Sequence, residues 1–123
     1  MANIEKSIQI HLVQWVKKNY PSVNICSNSN EYARHHVETG VDVGSPDLLL
    51  TLRHNNITHL FYLELKTKKG NLSPAQKKWN ADFDINHKSM NCQRSVAYGF
   101  LDAKRAIADF YLAVAHQPSP NAC

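Results

Sequence analysis

Apolar positions along the chain change period several times, and each change marks an element. Ile4, Ile8, Leu12 and Trp15 recur at helical spacing, which predicts an amphipathic helix over residues 3–18, ending before Tyr20-Pro21. Glu5 and Gln9 form an i,i+4 pair on the flank of that stripe. Val23–Ser27 reads as a short strand, and residues 28–45, with Asn, Gly and charged side chains, as a loop. Pro46-Asp47 opens Leu48-Leu49-Leu50-Thr51-Leu52, a continuous apolar run typical of a strand covered on both faces. After a turn at His54-Asn55-Asn56, residues 58–66 alternate. Phe61, Leu63 and Leu65 fall on one side, with Tyr62, Glu64 and Lys66 on the other. Gly70-Asn71 breaks the chain again. Ser73-Pro74-Ala75-Gln76 then starts a helix, with Ser as N-cap, Pro at N1 and Gln at N3 of a capping box. Gln76, Trp79 and Phe83 continue at helical spacing, residues 93–98 read as a strand, and Ala103, Ile107, Phe110, Tyr111 and Val114 mark a last helix.

The order α-β-β-β-α-β-α with short connections argues for an α/β (α+β) fold, a mixed central β-sheet flanked by helices. Neither a repeat nor a linker divides the chain, so residues 1–116 are expected to form one domain and 117–123 a flexible C-terminal tail. With 123 residues and 43% of them apolar, about two-thirds of the unfolded surface can be buried, which needs no disulfide staples. Three cysteines without CxxC spacing fit a reducing compartment. No apolar run approaches the ~20 residues that span a bilayer. Glu5 and Lys6 interrupt what would be a leader's apolar stretch. The expectation is a cytoplasmic protein with no membrane partner.

Charge changes the picture in one region. Residues 66–105 carry nine Lys/Arg against three Asp/Glu, whereas residues 1–65 carry five against six. Lys66, Lys68, Lys69, Lys77 and Lys78 occur there without an acidic neighbour, which suits a polyanion such as nucleic acid or, equally, a solvated lysine-rich face.

Asp47 and the Glu64-Leu65-Lys66 triplet carry the candidate chemistry. Strand period two puts Glu64 and Lys66 on one face and turns Leu65 into the core. If the two strands pair, Asp47 approaches Glu64 and Lys66, and two carboxylates crowd beside an ammonium. Burying like charges is costly unless something neutralises them, and a hard divalent cation such as Mg²⁺ does so while keeping sites for water and a phosphate. The lysine would steer or activate the attacking water, or stabilise its charge. Such an arrangement suits metal-assisted phosphodiester hydrolysis. Glu and Lys two apart on a strand are also an ordinary cross-strand ion pair, so the triplet alone does not decide.

The surrounding residues add to it. GSPDLLL at residues 44–50, FYLELKTKKG at 61–70 and LSPAQKKW at 72–79 resemble the PD-(D/E)XK nuclease superfamily, and within it the VRR-Nuc branch, the virus-type replication-repair nucleases. Glu5 matches the acidic residue of that branch's first helix, and Asn30-Glu31 resembles an NE pair upstream of the PD motif. The likeness runs from about residue 4 to 113 and is specific at 44–79.

It implies a restriction-endonuclease-like core and a Mg²⁺- or Mn²⁺-dependent endodeoxyribonuclease leaving a 5′-phosphate and a 3′-hydroxyl. Asp47 and Glu64 would bind the metal with the Leu65 carbonyl as a further ligand, and Lys66 would be the catalytic lysine. Gln76 would support the site or contact the phosphate backbone, in competition with its capping role, which is worth on the order of 1 kcal/mol. Glu5 would complete the acidic cluster through water, or else simply favour its helix dipole. Lys68, Lys69, Ser73, Lys77 and Lys78 are the candidate DNA contacts. Small stand-alone members, usually of phages or prophages, look like homodimers that cut branched DNA, and a two-fold axis matches a four-way junction. The expectation is therefore a homodimeric nuclease of Holliday junctions or related branched DNA. The alternatives are the same chemistry on flap, single-stranded or duplex DNA, or a catalytically silent DNA-binding protein.

Other chemistries find no pattern. No HxxxH or HExxH occurs among the seven histidines, which read as solvated loop residues. Gly40 and Gly44 fit no nucleotide-binding loop, so no nucleotide cofactor is expected. Trp15 and Trp79 lie on apolar helix faces and read as core rather than as base-stacking platforms.

Overall fold

The computed structural model describes residues 4–27 and 44–117. Its elements are α1 (Ile4–Asn19), β1 (Asn24–Ser27), β2 (Leu48–His54), β3 (Ile57–Lys66), α2 (Pro74–Asn86), β4 (Cys92–Tyr98) and α3 (Phe100–Ala115). Their order is the one that the hydrophobic pattern predicts. The Asn30-Glu31 pair, His35-His36, most of the expected loop and the tail beyond Gln117 lie outside the described residues.

The four strands form one mixed sheet in the order β1-β2-β3-β4. β1 with β2 and β2 with β3 pair antiparallel, and β3 with β4 parallel. Asn55 and Asn56 both have positive φ, 52° and 65°, so a two-residue turn of the primed kind joins β2 to β3. The parallel pair needs a crossover, and α2 supplies it.

Register sets what faces inward. Leu48 lies opposite Leu63, Leu50 opposite Phe61 and Leu52 opposite His59, all six buried on the face that α1 and α3 cover. Leu12 and Val16 of α1 and Ala103, Ile107, Phe110 and Val114 of α3 close this core, with Phe110 stacked on Phe61 at 4.9 Å between centroids. On the other face Tyr62 meets Trp79 and Phe83 of α2.

Two expectations are corrected. Leu48–Leu52 is not covered on both faces: Leu49 and Thr51 are only half-buried, because α2 seats on Tyr62 and leaves that side of β2 partly open. Nor are all the histidines solvated loop residues. His59 is 2% exposed within β3, since strand parity carries it to the core face beside Leu52. Among the described residues no helix is long and apolar enough to cross a membrane.

Candidate active site

The site forms where β3 ends. Leu48 pairs with Leu63, so Asp47, one residue before β2, arrives level with Glu64. The Asp47 Oδ2 accepts a hydrogen bond from the Leu65 N–H at 2.8 Å, which ties the loop carboxylate to the strand between Glu64 and Lys66. Leu65 itself is buried in the core, anchoring the triplet from behind.

Gly44 explains how that loop reaches its place. Its φ is +92°, and a Cβ there would lie 2.5 Å from the Ala75 carbonyl oxygen and 2.9 Å from the Gln76 nitrogen. Only glycine lets the Gly-Ser-Pro-Asp segment pass against the first turn of α2. The PD loop and the α2 start are thus packed backbone to backbone. In the sequence, the sign of this was a glycine three residues before Asp47.

The α2 start is capped as its sequence predicts. Ser73 Oγ accepts the Gln76 N–H at 3.1 Å, and Gln76 Oε1 accepts the Ser73 N–H at 2.8 Å. The other end of the same amide points into the site: Gln76 Nε2 donates to Glu64 Oε2 at 3.0 Å. Capping and site support, which compete in the sequence, are one arrangement in the structure.

Glu64 is 3% exposed. While Oε2 is held by Gln76, Oε1 is buried with no hydrogen-bond donor. Burial first, then contact with the Asp47 carboxyl and its charge, push the Glu64 carboxyl up to about 9. Glu5 adds to the rise, and the Lys66 ammonium works against it. Asp47, Lys66 and Glu5 therefore all influence the Glu64 carboxyl. A buried carboxylate oxygen without a donor, next to a second carboxylate, is the donor set that a hard divalent cation fits. Among the described residues no group of three or more His, Cys, Asp or Glu side chains converges, so Glu5 does not form a third converging ligand.

The remaining candidates lie around this centre. Lys68, Lys69 and Lys77 are exposed, and Lys78 forms an i,i+4 ion pair with Asp82 at 2.9 Å. Ser73 is engaged in the capping box through both its hydroxyl and its N–H. One further position carries no motif: Gly99, with φ +95°, donates its N–H to the Lys66 carbonyl at 2.8 Å, fixing the backbone of Lys66 against the start of α3.

No curated protein and no solved structure matches the chain. A family model does: the VRR-NUC domain matches residues 2–100, a span that takes in α1 with Glu5, the PD loop, the Glu64-Leu65-Lys66 strand, the α2 start and Gly99. The chain belongs to the VRR-NUC family of nucleases, whose fold and motif order it shares.

Proposed function

We propose that this protein is a divalent-metal-dependent, structure-specific DNA endonuclease whose reaction centre is Asp47, Glu64 and Lys66. The observation that carries the proposal is the buried Glu64 carboxyl at the end of β3, its Oε1 without a donor, in contact with the Asp47 carboxyl. Mg²⁺ or Mn²⁺ would be held by Asp47, Glu64 and the Leu65 carbonyl, and when bound it supplies a lowered water pKa and charge neutralisation at the phosphate.

The chain's own residues do the rest. Gln76 holds one Glu64 oxygen and leaves the other for the cation. The Leu65 N–H orients Asp47. Lys66, half-buried on the Glu64 face of β3, would steer the attacking water and stabilise negative charge as phosphorus is attacked. Glu5 acts on the cluster from α1 through solvent. Lys68, Lys69, Ser73, Lys77 and Lys78 would hold the phosphate backbone beside the scissile bond.

The substrate is branched DNA such as a four-way junction, cut by a homodimer whose two centres address opposed strands. The two-fold axis that such a dimer would have matches the symmetry of the junction, which supports this choice. The test is cleavage of a synthetic four-way junction beside flap, single-stranded and linear duplex substrates, under Mg²⁺ and Mn²⁺. Preferential cutting of the junction is expected, and Lys66→Ala should lose orders of magnitude in rate while still binding DNA. Equal cutting of every substrate removes the junction assignment. Binding without cutting under either metal removes the enzyme.

A further inference from the structure

An aromatic groove leads away from the reaction centre along α1. Ile4, Ile8 and Trp15 form one wall and Phe100, the first residue of α3, forms the other, enclosing about 650 Å³. Two of its lining residues are chain neighbours of residues tied to the site. Phe100 follows Gly99, whose N–H is bonded to the Lys66 carbonyl, and Ile4 precedes Glu5, whose charge is felt by Glu64. From Ile4 to Trp15 the helix rises about 16 Å.

The walls and the rim differ in character. Trp15 and Phe100 are half-buried: each packs partly on the core, and each also lines the groove. The Lys104 ammonium stands 5.1 Å from the Trp15 ring centroid and 5.2 Å from that of Phe100, so both rings face a space that holds a cation instead of an apolar side chain. Among the described residues no carboxylate pairs with Lys104. Lys18 lines the far end, no acidic side chain among the described residues lines the groove, and the Lys68 side chain lies over Gly99. Two aromatic rings with one ammonium over their faces, and a second ammonium, Lys18, in the groove lining, match a strand whose bases are unpaired, because stacking uses base faces that a duplex hides while the phosphates take the charge.

We propose that this groove holds an unpaired stretch of the DNA strand adjoining the scissile phosphate. Bases lie against Phe100 and Trp15 once the Lys104 ammonium turns from the ring faces to a phosphate, and Lys18 and Lys68 meet further phosphates. The proposal rests on the nuclease reading and adds a single-stranded arm to its substrate. Trp15, which the hydrophobic pattern assigns to the core, then serves both the core and the groove.

The test is equilibrium binding in EDTA, which separates binding from turnover. Fluorescein-labelled oligothymidylate, duplex with a single-stranded extension and blunt duplex are compared. Phe100→Leu, which keeps apolar volume and loses the ring, should weaken the first two roughly ten-fold and the blunt duplex hardly at all. Lys104→Met should weaken the same two and lower their salt dependence. In the unaltered protein, 5-iododeoxyuridine placed in the extension should photocrosslink to the peptides holding Trp15 or Phe100. Unchanged binding by Phe100→Leu, or crosslinks confined to other peptides, overturns the proposal. So does a shift from dimer to monomer in Phe100→Leu without a change in DNA affinity, which makes the groove a contact between two copies. If the unaltered protein cuts no substrate yet the binding and crosslinking results hold, the nuclease reading fails and the groove stands. If cleavage is normal and Phe100→Leu cuts tailed and blunt DNA alike, the groove fails and the nuclease stands.

Discussion

The side-chain amide of Gln76 joins the first turn of α2 to Glu64, accepting the Ser73 N–H with one end and donating to Glu64 Oε2 at 3.0 Å with the other. Helix start and candidate site are therefore mechanically one unit, and the two roles of Gln76 can be separated by substitution. Gln76→Ala removes both and should cost about 1 kcal/mol of stability through the missing cap. It should also cost roughly 10–100-fold in cleavage rate, the range seen when a group orienting a metal ligand is removed. Gln76→Glu keeps an acceptor for the cap but sets a carboxylate against Glu64. It should melt close to the parent protein when metal is present and still cleave as poorly as Gln76→Ala. Thermal melts beside cleavage rates check both.

Protonation of Glu64 makes metal-free stability fall with rising pH. Its carboxyl is raised from an ordinary 4.5 to about 9 in the folded chain, so the folded state holds a proton that the unfolded state has released. That contribution is complete below pH 4.5 and is lost as pH climbs through 9. His59 acts in the opposite sense: burial, then the neighbouring His54, lower its pKa from 6.5, so the unfolded chain takes up the proton first and stability is lost on acidification below 6.5. The two slopes oppose each other below pH 6.5; above it Glu64 leads, and the Cys92 thiol, pushed up from 9.0 by burial, adds to the same slope only as pH nears 9. The melting temperature in EDTA should decline from pH 6.5 to 8, the decline over that range should vanish in Glu64→Gln, and Mg²⁺ should reduce it. Mg²⁺ uptake near pH 7.5 should release a proton, visible by calorimetry in buffers of different ionisation enthalpy.

Gly44 is the position where a single methyl should do the most damage. An alanine Cβ would meet the Ala75 carbonyl oxygen at 2.5 Å, and φ of +92° is already unfavourable for it. Gly44→Ala should destabilise the fold by about 1–3 kcal/mol through overpacking and strain. Because the displaced segment carries Asp47, cleavage should fall further than the stability loss explains. Denaturant unfolding, with cleavage measured where the variant is fully folded, separates the two.

The basic rim should behave unequally. Neutralising Lys68, Lys69 or Lys77 to Gln should weaken binding to all DNA sequences and lower the salt slope by about 1 for each phosphate no longer held. Lys78 is already paired with Asp82, so Lys78→Gln should change the slope least. Binding isotherms over a range of salt concentrations give the four slopes, and equal slopes throughout would remove these lysines from the interface.

Periodicity and turn chemistry acted locally, and where the outcome was local the sequence was a full guide. The 3.6-residue stripe of α1, the capping box at Ser73 and the parity placing Glu64 opposite in face to Leu65 depend on neighbours within a few residues. The motif spacing also carried the family. What lay beyond reach were contacts between segments far apart in the chain. Nothing in GSPD says that Gly44 must clear the backbone of Ala75, and nothing in LSPAQ says that the capping amide has a second end on Glu64. The coverage of β2 depended on where α2 came to rest, and the burial of His59 on which face of the sheet received α1 and α3. By itself the sequence determined the elements, their order and the residue types available for chemistry, because backbone sterics and hydrophobic period act over one or two turns. Tertiary structure alone decided that Asp47 and Gln76 meet at the buried Glu64, because only strand register and helix packing bring those groups together and take Glu64 out of water.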